Sequence, residues 1–388
     1  MPECLRSLQD HDGTRYGKIT REHGGSLEWL WQNEEYRNWA QSTTSNLLYV
    51  EGKPGSGKST LTKYFERNLA EKVPDSKSGT VVYYFYTQRG TTQEAMHQNM
   101  LRSILHSILT QDESAFYHFQ PEFRRFQHHT EWPYESLKSI LSSLADHVSP
   151  KPLYLILDAM DESMEEDRRE VVELLCKLCS AKGFRAKAFI ASRPVADLNH
   201  LFAEWRQVMH VITLQNENSS DICKFADDFL SKLGLPYLIL REAGDYIKAN
   251  AEGVFVWVQL VKSELFRLRS TGLSAMQLSD HLKRLPRELG EFYKIMLDRL
   301  EAEGRDDEIH DGITLFQFVL YSSRPLTVAE LQHVLAFRAS ERDSSATPPH
   351  DKFRRHLSND TEARITHCGG NFLDISGNPM SKYKAASC

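Results

Sequence analysis

One short stretch constrains this chain more than any other: Gly52-Lys53-Pro54-Gly55-Ser56-Gly57-Lys58-Ser59-Thr60, a complete G-x-x-x-x-G-K-[ST] motif. It follows the apolar run Leu47–Val50 and leads into a segment with helical spacing at 59–72. Strand, glycine loop and helix in that order build an anion site. The glycines let successive backbone N–H groups turn inward at a helix N-terminus, where the helix dipole also favours negative charge. Lys58 is then expected to reach the β- and γ-phosphates of a nucleotide, the Ser59 hydroxyl to ligate magnesium, and Thr60 to lie near the α-phosphate. By average residue usage the motif turns up accidentally in roughly one chain in a hundred, and the strand and helix around it lower that further.

A second acidic motif narrows the class. Leu153–Leu157 is a continuous apolar run ending in Asp158-Ala159-Met160-Asp161-Glu162, and open α/β sheets bind ligands at the C-terminal ends of their strands. Asp158 is placed to hold magnesium through water, and Asp161 or Glu162 to orient and polarise an attacking water as general base. At the end of the next apolar run, Ala188–Ala191, stands Ser192-Arg193-Pro194. The planar fork of Arg193 suits it to sense a γ-phosphate. The strand Val81–Tyr86 intervenes between the glycine loop and the acidic motif, which fits ATPases in which the acidic strand is not the next in the chain. The D-x-x-G matches begin at Asp10 and Asp374, outside the α/β region, and N-K-x-D is absent, so ATP is favoured over GTP.

The strand candidates are 47–50, 81–86, 153–157, 188–191 and 208–214, with helical spacing at 59–72, 92–110, 134–147, 166–181 and 195–204 between and around them. This alternation predicts a five-stranded parallel sheet covered on both faces. Residues 1–45 read as a helical lead-in or linker and 46–215 as the P-loop domain. A helical domain is expected over 216–305, then an incomplete winged-helix-like domain over 306–388, with disorder at 340–360 and no periodicity from Gly377.

The 388 residues fit two or three domains of about 150 residues each. Lys plus Arg (47) against Asp plus Glu (53) gives a net charge of -6, so no global excess of cations points to nucleic acid. The N-terminus has no secretory apolar region and no run reaches the roughly 18 residues of a membrane span, which predicts a cytoplasmic protein. Cys176 and Cys179 form a C-x-x-C pair inside a helical apolar pattern with no second close pair, so packing is favoured over zinc.

Together these residues resemble fungal NACHT-type members of the STAND class of signalling ATPases, relatives of NOD-like receptors and of the nephrocystin-type N-terminal module. The resemblance runs from Trp29-Leu30 and Glu35-Tyr36-x-x-Trp39 through the Gly52–Thr60 loop, Tyr83–Phe85 with the helix after Thr92, Asp158–Glu162 and Ser192-Arg193-Pro194. It continues in Glu252-Gly253-x-Phe255-x-Trp257, Leu285-Pro286-x-x-Leu289 with Tyr293, and Arg324-Pro325-Leu326-Thr327 with Glu330-Leu331. The resemblance implies ADP holding a closed state, exchange for ATP with Mg2+ opening it, self-association that gathers an effector partner, and slow hydrolysis as reset. Relatives normally add an N-terminal effector and a C-terminal sensor array, neither of which is expected within these 388 residues. They also continue past the segment matching Cys368-Gly369-Gly370, so the chain reads as the middle of a longer design. A nucleotide-binding scaffold without hydrolysis and a small-molecule P-loop kinase are the alternatives.

Overall fold

In the computed structural model the five strands form as β1 (Asn46–Glu51), β2 (Thr80–Phe85), β3 (Leu153–Asp158), β4 (Ala186–Ser192) and β5 (Met209–Thr213). The structure describes residues 1–388 except 10–14, 43, 45, 87–96, 127–131, 150, 182, 196–203, 206, 323, 325, 346–347, 370–371, 378–383 and 388. The strands pair in parallel in the order β2-β3-β4-β1-β5. β4 therefore stands between the strand carrying the glycine loop and the strand carrying Asp158.

Alternate side chains of each strand enter opposite cores, the period-two geometry of a sheet buried on both faces. Leu47, Tyr49, Leu153, Leu155, Leu157, Ala188 and Ile190 pack with the helices His97–Gln111, Tyr134–Ser143 and Arg168–Leu178. Leu48, Val50, Tyr154, Ile156, Phe189 and Ala191 pack instead with Trp39, Leu61 and Phe65. Phe65 of the helix Lys58–Lys72 stacks on Phe189 with ring centroids 4.3 Å apart. Cys176 and Cys179 are buried in the first of these cores; burial pushes both thiols up, Cys176 to about 12, so they act as small packing groups.

The chain divides into two compact units, Met1–Val258 and Gln259–Cys388. Residues 1–45 are part of the first unit rather than a linker to it. Cys4 and Leu8 of the helix Pro2–Leu8 are fully buried, and Trp39 of the helix Glu34–Gln41 is 1% exposed. Buried Asp221 accepts from the Leu27 amide at 2.9 Å and from Trp29 Nε1 at 3.1 Å. The apolar residues that made the lead-in conspicuous are thus core residues. Of the expected helices, the part at 92–96 and most of the one at 195–204 lie outside the described residues, as do Pro325 and Gly370.

The second unit contains the helices Ala275–Leu282, Leu289–Glu303, Asp306–Tyr321, Val328–Arg342, Pro349–Arg355 and Thr361–Gly369. Leu315, Leu331, Leu335, Ile365 and Cys368 form a small core there. Two expectations are corrected. The stretch 340–360, read as disordered, holds the end of one helix and all of Pro349–Arg355, which has proline in its first turn and Lys352, Arg354 and Arg355 in its last. Phe353 of that helix meets His333 with ring centroids 5.8 Å apart. The tail, read as lacking periodicity, supplies β8 (Lys384–Ser387), which pairs antiparallel with β7 (Asp374–Gly377) and β6 (Leu326–Thr327) in the order β6-β8-β7. Backbone hydrogen bonds hold a strand that its small side chains do not advertise.

Candidate functional site

The glycine loop leaves β1 and enters the helix Lys58–Lys72 as the sequence requires. Gly55 and Gly57 adopt φ of 73° and 96°, and a Cβ on Gly55 would meet Val256 at 2.8 Å. Pro54 is exposed at the tip and Thr60 is half-buried in the first helical turn. Lys58 Nζ donates to the carbonyls of Gly52 at 2.8 Å and Lys53 at 3.1 Å. Burial lowers its pKa, against the opposing pull of Asp161. Ser56 is buried, and its Oγ has no hydrogen-bond partner among the described residues. An orphaned buried hydroxyl beside the N-terminus of the helix Lys58–Lys72 fits a phosphate.

Asp158 is fully buried at the end of β3. Ser59 Oγ donates to its Oδ2 at 2.5 Å and Thr62 Oγ1 to its Oδ1 at 2.9 Å. Burial raises its pKa, while Arg15, Ser59 and Thr62 draw it back down. A hydroxyl and a carboxylate side by side are the hard oxygen donors that magnesium takes. Asp161 is engaged from β4: its Oδ1 accepts from the Arg193 amide at 2.8 Å and its Oδ2 pairs with Arg193 Nε at 3.0 Å. Glu162 faces the loop, and a guanidinium from the lead-in holds it. Arg15 Nη1 donates to Glu162 Oε2 at 2.5 Å and Nη2 to Oε1 at 3.1 Å. Nη2 also donates to Ser59 Oγ at 3.4 Å and lies 3.9 Å from Asp158 Oδ2, and Nη1 donates to the Tyr86 carbonyl. Burial works against the charge on Arg15, but Glu162, Asp158 and Asp161 outweigh it and hold the guanidinium above its ordinary range.

The structure thus brings Lys58, Ser59, Asp158, Asp161, Glu162 and Arg193 to one edge of the sheet, leaves Pro54 exposed and turns Lys53 to Glu252, and adds four residues that were missed. Thr62 stands three residues after Ser59 on one helix face, a spacing that pointed to it. Gln215 Oε1 accepts from the Lys53 amide at 3.3 Å, and buried Asn218 donates from Nδ2 to the carbonyls of Ser56 at 3.1 Å and Gly253 at 2.9 Å. Both follow β5 in an ordinary polar run. Arg15 lies 147 residues from Glu162, and no local signal marks it. The Glu252–Trp257 motif also lands on the loop, with Lys53 Nζ 2.7 Å from Glu252 and the Val256 amide donating to the Gly55 carbonyl at 3.1 Å.

Residues 25–193 match the family model described as Nephrocystin 3, N-terminal. Over 345 residues the chain is 23% identical to vegetative incompatibility protein HET-E-1 of Podospora anserina, covering 84% of this chain and 24% of that protein. Residues 25–193 are thus similar to a nephrocystin-type N-terminal module, and they carry the glycine loop and four of the five parallel strands. The chain spans about a quarter of the length of that relative. Looser likenesses to solved structures run over nearly the whole chain. A Drosophila ORC structure bound to DNA has TM-score 0.42 at 10% identity, covering 99% of this chain and 87% of that one. Aeropyrum pernix ORC2 in its ADP form has TM-score 0.41 at 14% identity, covering 98% and 92%. At these scores they carry no argument. No helix among the described residues is long and apolar enough to cross a membrane.

Proposed function

We propose that the chain is an ATP-dependent signalling switch in fungal innate immunity or self/non-self recognition, in keeping with the incompatibility named for its relative, with ADP and ATP, each with Mg2+, selecting between two states. One observation carries this reading: Lys58, Ser59, Asp158, Glu162 and the Asp161–Arg193 pair converge at the C-terminal edge of β1, β3 and β4. On this reading the amides of Gly55, Gly57, Lys58, Ser59 and Thr60 hold the phosphates, and Lys58 leaves the Gly52 and Lys53 carbonyls to meet them. Ser59 and Asp158 hold the magnesium ion, which supplies charge neutralisation at the β- and γ-phosphates. Glu162 orients the attacking water. Asp161, already engaged by Arg193, fastens the acidic loop to β4 and carries Arg193 to where a γ-phosphate is sensed. Residues 216–305 and 306–388 act as the helical and winged-helix domains that respond, and self-association gathers an effector in the cytoplasm.

The ligand shifts such a switch only by its differential affinity for the two states. Lys58→Ala should therefore abolish ATP-driven assembly measured by light scattering; equal assembly of that variant would sink the switch. The second reading, a scaffold that binds without hydrolysing, is favoured by Arg15, because its guanidinium occupies both carboxylate oxygens with which Glu162 would hold a water. Phosphate release by the wild type and Glu162→Gln separates the two: identical rates leave only the scaffold.

A further inference from the structure

Arg15 stands where the proposed cation would act. Its guanidinium lies in the fork of Glu162 and reaches Ser59 Oγ at 3.4 Å, with Asp158 Oδ2 3.9 Å away. Magnesium takes oxygen donors at about 2.1 Å and keeps several waters. An ion at Ser59 Oγ, joined to Asp158 through water, would lie against Nη2 with like charge. The two cations are alternatives for one set of oxygens.

The arginine is delivered by an anchored arm. Tyr16 stacks on Tyr83 with centroids 5.1 Å apart and meets Phe85 edge-on at 5.3 Å. Tyr16 Oη donates to Glu66 Oε2 at 2.6 Å, and Lys63 Nζ donates to the Tyr16 and Ile19 carbonyls at 2.8 and 2.9 Å. Glu66 and Lys63 belong to the helix that begins with Lys58 and Ser59. Upstream, the helix Pro2–Leu8 is fixed by fully buried Cys4 and Leu8. The turn Arg15–Lys18 would leave the site by giving up the Tyr16 and Lys63 contacts, while the helix Pro2–Leu8 keeps its own.

We propose that Arg15 is a built-in counter-cation that competes with the metal for Ser59, Asp158 and Glu162, so that loading metal and nucleotide releases the 15–19 turn. This rests on the nucleotide-switch reading and names the regulation of that site: the N-terminal arm holds Glu162 and moves when the metal arrives.

The test uses Mn2+ as the probe, followed by electron paramagnetic resonance on the full chain, together with hydrogen exchange at residues 15–19. Arg15→Met should bind Mn2+ about ten-fold more tightly than the wild type, and adding Asp158→Asn should remove the gain. In the wild type, Mn2+ with ATP should speed exchange across 15–19. Equal Mn2+ affinity in the two proteins, or slower exchange at 15–19 on loading, overturns the inference. If Arg15→Met does not fold, the direction of the wild-type exchange change decides. Failure of the wild type to bind ATP would sink the nucleotide reading instead, and the comparison with Mn2+ alone would still decide this one.

Discussion

A single side chain often has two duties in this site, and substitutions separate them. Asp161 is 8% exposed and accepts two hydrogen bonds from Arg193. Asp161→Ala should cost about 1–3 kcal/mol of stability, read from denaturant midpoints, because it removes charge-assisted bonds and leaves the Arg193 amide without that acceptor. Arg193→Ala keeps the amide bond and should cost less; a larger loss for Arg193→Ala would contradict the assignment. His97 offers a test in pH. Its Nδ1 lies 2.9 Å from Tyr86 Oη and its Nε2 3.1 Å from the Met164 carbonyl, so the neutral ring accepts from the tyrosine and donates to the loop after Glu162. Burial holds its pKa at about 4 against the ordinary 6.5. The unfolded chain therefore takes up the proton first as pH falls, and stability that is full above about 6.5 declines toward 4. Urea midpoints at pH 7 and 5 should differ more for the wild type than for His97→Gln.

At the scale of elements, the glycine loop is braced from behind by the segments after β5. Gly253 has φ of 77°, and a Cβ there would meet the Gln215 backbone at 2.6 Å. Asn218, fully buried, ties Gly253 to Ser56. Asn218→Ala should cost about 2 kcal/mol and weaken ATP binding with no loss of a direct ligand; unchanged ATP affinity in a destabilised protein would show that the brace does not shape the loop. How much of this was legible follows from where each signal lives. β1, β3 and β4 were readable because a parallel strand buried on both faces is a continuous apolar run, and Gly52–Ser59 because phosphate binding demands local backbone geometry. Asn218, Gln215 and Arg15 act across long chain separations through single contacts, which leave no periodic trace. β8 was invisible because Lys384-Ala385-Ala386-Ser387 has neither β-branched nor aromatic residues, and its pairing with β7 decides the outcome.

Across the whole molecule the two units carry separate stabilising clusters. In the second, buried Glu264 accepts from Arg267 at 3.1 Å, from Arg299 at 2.6 Å and from His281 at 3.0 Å. Burial would raise its pKa, but the two arginines outweigh that and hold it at about 2. The stability it gives is thus present above about 4.5 and lost as pH falls toward 2. Glu264→Ala should cost about 1–3 kcal/mol by removing the charge-assisted bonds that this buried carboxylate accepts, lowering one of two calorimetric transitions while leaving ATP affinity as it was. A matching fall in both transitions would mean that the units unfold as one. The order of the large sheet sets a different kind of constraint. With β4 inserted between β1 and β3, the phosphate loop and Asp158 hang from strands about 10 Å apart, two strand spacings. Hydrogen-bond geometry sets that interval, not any side chain. β4 is in effect a ruler ruled in peptide units, and it keeps its calibration through any substitution that preserves register.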